Sequence, residues 1–234
     1  MTLQWRVLAL VLGLCTAGCA SVESLFPSNN PYDILRLVNR DHKLPYEFVP
    51  DVVLPNVPAA PGKEEYVYLR EEAARALEAL FSAALAEGHT LYAVSGYRSY
   101  SLQASLFRRK VERVGSEAKA MLTVAPPGAS EHQLGLAMDI NGETTLSLGL
   151  TEDFGASPEG LWVYENAHRF GFIIRYPEGK TDITGYAWEP WHLRYVGEDA
   201  AREMHSLQVT FEEYHALLQE RRVQAWSQET KEEL

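Results

Sequence analysis

Three short polar segments of the chain combine residue types that often carry chemistry. They read SGYRS at 95–99, SEHQLGLAMD at 130–139 and EPWH at 189–192. The second and third segments together offer His132, Asp139 and His192. Two imidazoles and one carboxylate are a usual ligand set for a catalytic zinc ion, because they leave a fourth position for water. The pattern therefore predicts a metal site.

A structural explanation competes with this prediction at each residue. Asp139 also fits the end of a strand, and Glu189 also fits a solvated acid. A histidine taken alone is more often a surface or core residue than a ligand. We give that interpretation to the other histidines: His42, His89, His168, His205 and His215. Residues seven apart face opposite sides of an uninterrupted strand, so convergence of His132 and Asp139 requires a turn near Gly135.

The elements that must position these residues follow from apolar periodicity and capping signals. The clearest helix spans Arg70 to Glu87, and Gly88 ends it. Its apolar stripe contains Ala73, Leu77, Leu80, Phe81, Ala84 and Leu85. Further helices are predicted at 101–114, 158–170 and 210–226, and a Thr210–Glu213 capping box begins the last of them. Strands are predicted at 91–95, 137–140, 172–176 and 192–196. Without a βαβ rhythm, this order favours an α+β fold with helices packed around a small antiparallel sheet.

The N-terminus has the layout of a secretory signal. Arg6 precedes an apolar run at 7–14, which is too short to span a membrane. The sequence TAGC that ends at Cys19 is similar to a bacterial lipobox, so we expect Cys19 to be lipidated; ordinary cleavage after Ala20 is the alternative. We expect a signal peptide at 1–18, a tether at 19–31, one folded domain with a C-terminal helical extension at 32–226, and a polar tail at 227–234.

Composition and missing motifs exclude several classes of protein. The 234 residues carry a formal net charge of −11, which argues against nucleic acid as a partner. Both cysteines lie in the leader region, so a disulfide-stapled fold is excluded. The chain has no HExxH motif of a helical zincin and no GxSxG motif of a serine hydrolase.

Four motifs in order resemble the VanY-type D-alanyl-D-alanine carboxypeptidases. They are SGYRS with Gln103 following, SEHQLGLAMDI, NAHRFGFIIRYP and ITGYAWEPWHLRYVG, preceded by NRDHKLPYEFVP. The resemblance covers residues 35–197, and it implies a zinc peptidase with a Hedgehog-like fold. The extension after Gly197 has no role that the family supplies.

The resemblance assigns roles to individual residues. It implies that His132, Asp139 and His192 are the zinc ligands and that Glu189 is the catalytic base. Arg98 matches the cation near the scissile carbonyl, where it can stabilise either the oxyanion or the terminal carboxylate of the substrate. The positions that match the substrate pocket are Gln103, Ser130, Tyr176 and Trp191.

Together these observations predict an exported, lipid-anchored, monomeric zinc carboxypeptidase with one zinc ion per chain. The resemblance implies that it removes the terminal D-alanine from peptidoglycan stem peptides. One alternative is an L,D-carboxypeptidase on the same fold, which cuts tetrapeptides to tripeptides. The other is a catalytically silent wall-binding lipoprotein, which the presence of Glu189 and all three ligands disfavours.

Overall fold

The computed structural model describes the backbone of residues 28–232 and the side chains of residues 28–226. The expected signal peptide, the expected lipidation site Cys19 and the tether up to residue 27 lie outside the described residues. Of the expected polar tail, only the backbone through Glu232 is described. Among the described helices, none is both long enough and apolar enough to cross a membrane.

Four antiparallel strands form the sheet that carries the candidate site. They are β1 (Leu91–Ser95), β2 (Ala137–Gly142), β3 (Phe172–Tyr176) and β4 (Glu189–Tyr195). Their order in the sheet is β1-β2-β4-β3, so β2 and β4 are the central strands. The expected small antiparallel sheet is confirmed. Strand β4 begins three residues earlier than the sequence predicts, so Glu189 lies on it.

Helices of different lengths surround this sheet. They are α1 (Glu71–Ala86), α2 (Tyr100–Val114), α3 (Glu117–Met121), α4 (Asp153–Ala156), α5 (Pro158–Asn166), α6 (Thr181–Thr184), α7 (Glu198–Leu207) and α8 (Phe211–Glu232). Short 3-10 helices occupy Glu64–Tyr66, Glu131–Leu134, Leu146–Leu148 and Ala167–Phe170. The single helix predicted at 158–170 is therefore α5 followed by a 3-10 turn.

Helix α1 forms the main core with the sheet. Its apolar stripe packs into one buried cluster with residues of all four strands, including Ile140 of β2 and Leu193 of β4. Burial of apolar surface on this scale is the main stabilising contribution to such a layer. Leu85 was predicted to belong to the stripe, but 64% of its surface is exposed because the packed part of the helix ends at Ala84.

The C-terminal helices form a second cluster against edge strand β3. Phe211 and Leu218 of α8 pack with Met204 of α7 and Ile173 of β3. The predicted capping box opens α8: the Glu213 amide donates to Thr210 Oγ1 at 3.2 Å, and the Thr210 amide donates to Glu213 at 2.7 Å. Helix α8 continues to Glu232, six residues beyond its predicted end.

Candidate metal centre

The three predicted ligands come from the two central strands and the turn before them. Asp139 of β2 and His192 of β4 are direct cross-strand partners. His132 lies in the 3-10 helix that precedes β2, and the chain reverses at Gly135, whose φ is 70°. A side chain at Gly135 would also approach the Arg70 backbone nitrogen to 3.3 Å. The left-handed turn therefore favours glycine. It is the predicted turn near Gly135 that allows His132 and Asp139 to converge.

The donor atoms of these residues converge in a buried cluster. One donor atom from each of the three residues can be chosen so that all lie within 4.8 Å of one another. His132 Nε2 is 3.4 Å from Asp139 Oδ2, and His192 Nδ1 is 3.1 Å from Asp139 Oδ1. All three side chains are almost fully buried. Two nitrogen donors and one carboxylate oxygen at this spacing fit a tetrahedral zinc ion with one open position.

Hydrogen bonding fixes the orientation of the His132 ring. Its Nδ1–H donates to the Gly96 carbonyl at 2.7 Å, which leaves the Nε2 lone pair directed at Asp139. Such a second-layer partner is typical of histidine ligands to metals. Burial, and next the charge of Arg98, lowers the pKa of His132 to about 4, so the ring is neutral and able to ligate.

The surroundings of His192 favour the protonated form of its ring. Burial alone would lower its pKa, but the nearby carboxylates of Asp139 and Glu131 raise it to about 9. Burial also opposes ionisation of Asp139, yet His132 and Arg98 hold the pKa of Asp139 well below its usual value. Asp139 is therefore a desolvated carboxylate anion, and a divalent cation would bind it together with the two imidazoles once His192 has released its proton.

A buried ionic network supports His192 from the side opposite Asp139. Its Nε2 lies 3.7 Å from Glu131 Oε2. Glu131 Oε1 accepts hydrogen bonds from Arg175 Nε at 2.8 Å and from Arg194 Nη1 at 2.7 Å, and none of these three side chains is exposed. Glu212 of α8 accepts two further hydrogen bonds from Arg175, at 2.5 and 2.9 Å. The helical extension is thus connected to the candidate ligand through charged contacts.

Glu189 lies beside the cluster and outside its donor set. Its Oε2 is 3.7 Å from His192 Nδ1. Residues three apart face opposite sides of a regular strand. Strand β4 is not regular here: the β3–β4 register shifts between Ile174 and Tyr176, because β4 has two more residues than β3 over this stretch and forms a bulge. This bulge sets the relative directions of the Glu189 and His192 side chains. Burial raises the pKa of Glu189 to about 7, which suits a general base.

Arg98 contacts the cluster from the end of β1. Its Nη2 donates to Asp139 Oδ2, and its Nε donates to Ser95 Oγ at 2.9 Å. Its backbone amide donates to the His132 carbonyl at 3.1 Å. The guanidinium is therefore held against the candidate ligands by both its side chain and its backbone.

The profile of the family of VanY D-alanyl-D-alanine carboxypeptidases matches residues 66–198, which include the whole cluster. The chain belongs to the VanY family. YodJ of Bacillus subtilis, a candidate carboxypeptidase, is 49% identical over 195 residues, which are 82% of this chain and 71% of YodJ.

Two solved structures of related carboxypeptidases are similar to this chain in fold. The LD-carboxypeptidase LdcB is 49% identical, with a TM-score of 0.75 over 79% of this chain and 86% of that chain. The vancomycin-resistance D,D-pentapeptidase VanY from a VanB-type cassette, solved with Zn(II), is 36% identical, with a TM-score of 0.64 over 77% of this chain and 97% of that chain. The protein is accordingly a zinc-dependent carboxypeptidase of the VanY family, and the His–Asp–His cluster fits its zinc ion.

The remaining sequence-predicted residues line one pocket of about 400 Å³ next to the cluster: Arg98, Gln103, Ser130, Tyr176, Glu189 and Trp191. Gln103 is buried on α2 and donates to the Ala125 carbonyl at 2.7 Å. The Tyr176 ring lies 5.0 Å from the His192 ring. The structure therefore brings together every predicted site residue except Cys19, which lies outside the described residues.

Two kinds of site residue were missed by sequence reasoning. Lys110 and Arg113 of α2 also line the pocket, and the network of Glu131, Arg175 and Arg194 lies beneath it. A signal for the network was present: each arginine interrupts an otherwise apolar or aromatic strand, FIIRY or WHLRY. A charged residue in such a strand is rarely buried unless it is paired.

Proposed function

We propose that the protein hydrolyses the last peptide bond of peptidoglycan stem peptides and releases D-alanine. The observation that carries the proposal is the position of Glu189, a carboxylate with a pKa of about 7 beside a buried His–Asp–His cluster in one pocket. This arrangement separates the proton acceptor from the metal ligands, as hydrolysis of an amide requires.

In this proposal each residue has a defined role. His132, Asp139 and His192 hold zinc, which when bound supplies Lewis-acid polarisation of the carbonyl and acidification of water. Glu189 removes the proton from the attacking water and delivers it to the departing amine of D-alanine. The raised pKa of Glu189 assists the second transfer, because a carboxyl group near pH 7 can both accept and return a proton.

Arg98 provides the fixed positive charge. Two of its nitrogens bond Asp139 and Ser95, and Nη1 makes no hydrogen bond to the described residues. We propose that Nη1 stabilises the negative oxygen that develops on the scissile carbonyl. Gln103, Ser130, Tyr176 and Trp191 would surround the terminal residue of the substrate, because they line the same pocket.

The L,D-specific alternative has specific support. LdcB is named an LD-carboxypeptidase and is more similar to this chain, in identity and TM-score, than the D,D-pentapeptidase. The test compares release of D-alanine from a defined pentapeptide and from the matching tetrapeptide, each with and without a chelator. D,D-activity predicts faster release from the pentapeptide, whereas preference for the tetrapeptide would identify the L,D-specific enzyme. Absence of zinc-dependent release from both would contradict the proposed function.

We further propose that the protein is exported, is anchored by a lipid on Cys19 and acts as a monomer. The family acts on cell-wall peptides, and Cys19 ends a lipobox-like sequence. The variant Cys19→Ala should leave the membrane fraction and keep its activity in solution. Unchanged membrane association of this variant would contradict the lipid anchor, and sedimentation analysis of the variant tests the monomer.

A further inference from the structure

A second groove opens directly from the catalytic pocket. It has a volume of about 680 Å³, and Arg98, Lys110, Arg113, Val124 and Leu150 line both spaces. One wall is a face of α2, and the other comes from the Glu64–Tyr66 turn and the end of β1. A peptide whose terminal residue occupies the catalytic pocket can therefore continue into this groove.

The groove is cationic, although the protein is acidic overall. Lys63, Arg109, Lys110 and Arg113 line it together with Arg98, and no acidic side chain belongs to the lining. Within the described part of the chain, none of the first four forms an ion pair with a carboxylate. The chain as a whole has a net charge of −11. Such a local reversal of sign attracts anions to one place on a protein that otherwise repels them.

We propose that this groove binds a carboxylate in the part of the stem peptide that precedes the scissile bond. The proposal rests on the proposed function, since it concerns the same substrate. The glutamate of a stem peptide is linked through its side chain, so its α-carboxylate is free unless it is amidated. Arg109 and Arg113, one helical turn apart on α2, provide the charge, while Leu102 and Tyr66 offer apolar contacts to the peptide.

The experiment uses two pentapeptides that differ only in this group, one with isoglutamate and one with isoglutamine. For the full-length zinc-loaded protein at low ionic strength, we expect a kcat/KM about three- to tenfold higher for the isoglutamate peptide than for the isoglutamine peptide. This difference is the size of effect that two exposed ion pairs typically produce. The preference should decrease as salt is added. The double variant R109E/R113E should reduce the ratio to about one or reverse it.

Arg108→Glu is the matched control, because Arg108 is an exposed arginine of the same helix that does not line the groove. It should keep the wild-type ratio. Equal kcat/KM for both peptides, or an equal loss of preference in the control, would overturn the proposal while leaving the proposed function intact. If neither pentapeptide is cleaved, the D,D-activity fails, and calorimetric binding of both peptides to the zinc-loaded protein still decides whether the groove prefers the carboxylate.

Discussion

His192 separates two buried carboxylates that lie at the same distance from its ring. Glu189 Oε2 is 3.7 Å from Nδ1 on the pocket side, and Glu131 Oε2 is 3.7 Å from Nε2 on the interior side. Burial raises the pKa of Glu189 to about 7. Burial acts in the same direction on Glu131, but Arg175 and Arg194 reverse the effect and hold its pKa below the ordinary value.

The difference between the two sides arises from their cationic partners. Glu131 is hydrogen-bonded to two arginines, whereas Glu189 has no hydrogen bond to an arginine or lysine among the described residues. The same residue type, at the same distance from one imidazole, is therefore suited to exchanging protons on one side and to remaining a fixed anion on the other. We infer that the pocket side performs chemistry and that the interior side orients the ligand.

The largest expected effect comes from the pocket side. Glu189→Gln keeps the shape of the side chain but cannot accept a proton, so turnover should fall by about 10²–10⁴-fold. Zinc content should stay at the wild-type level, because Glu189 lies outside the donor set. The measurements are zinc content and D-alanine release, with Asp139→Ala as the comparison that should lose both. Near wild-type turnover in Glu189→Gln, or loss of its zinc, would contradict the assignment.

Glu131→Gln tests the interior side, and we expect stability to suffer more than chemistry. The change leaves Arg194 buried without its carboxylate partner, which typically costs about 3–5 kcal/mol of unfolding free energy. It also removes the charged partner of His192, so zinc should bind about 10–100-fold more weakly. Urea unfolding of the metal-free variant and chelator competition measure the two effects. If Glu131→Gln reproduces the behaviour of Glu189→Gln, with full stability and lost turnover, the two sides do not differ as inferred.

Glu212→Gln weakens the ionic network at its outer end, where Glu212 of α8 contacts Arg175. Arg175 keeps its hydrogen bond to Glu131, so we expect a smaller loss of unfolding free energy, about 1–3 kcal/mol. Zinc affinity should change less than in Glu131→Gln. Glu220→Gln is the matched control, since Glu220 is an exposed acid of the same helix. A loss in zinc affinity as large as that of Glu131→Gln would show that helix α8 sets the ligand position directly.

Local signals allowed much of the fold to be predicted. Helix α2 begins one residue before its predicted start and ends where predicted: Ser99 accepts a hydrogen bond from Leu102 at its start, and left-handed Gly115 follows its last residue. Strand β1 has its predicted bounds because it is a short apolar run between a helix and a glycine. The metal cluster was predictable because two imidazoles and a carboxylate form a recognisable chemical set, whatever the intervening path of the chain.

Features that depend on distant pairing could not be predicted in the same way. The bulge that directs Glu189 toward His192 exists only when β4 pairs with β3. Glu131 belongs to a quoted motif, yet its role depends on two arginines 44 and 63 residues later in the chain. The contact of Glu212 with Arg175 also requires that α8 pack against β3. Such contacts arise from tertiary structure, which apolar periodicity does not encode.

The smallest expected effect concerns a proton added near the interior side. His215 of α8 donates from Nε2 to the Leu35 carbonyl at 2.7 Å, and burial, with smaller contributions from Arg194 and Arg175, lowers its pKa to about 4. The unfolded chain takes up this proton near pH 6.5, so the stabilising contribution of neutral His215 is complete above 6.5 and is lost as pH falls toward 4. His215→Gln can keep a hydrogen bond to Leu35 and should flatten this part of the stability curve, measured by urea unfolding between pH 7 and 4. His42→Gln, at an exposed histidine, should leave the slope unchanged. If His215→Gln keeps the wild-type dependence of unfolding free energy on pH, protonation of His215 is not the cause of the stability loss in acid.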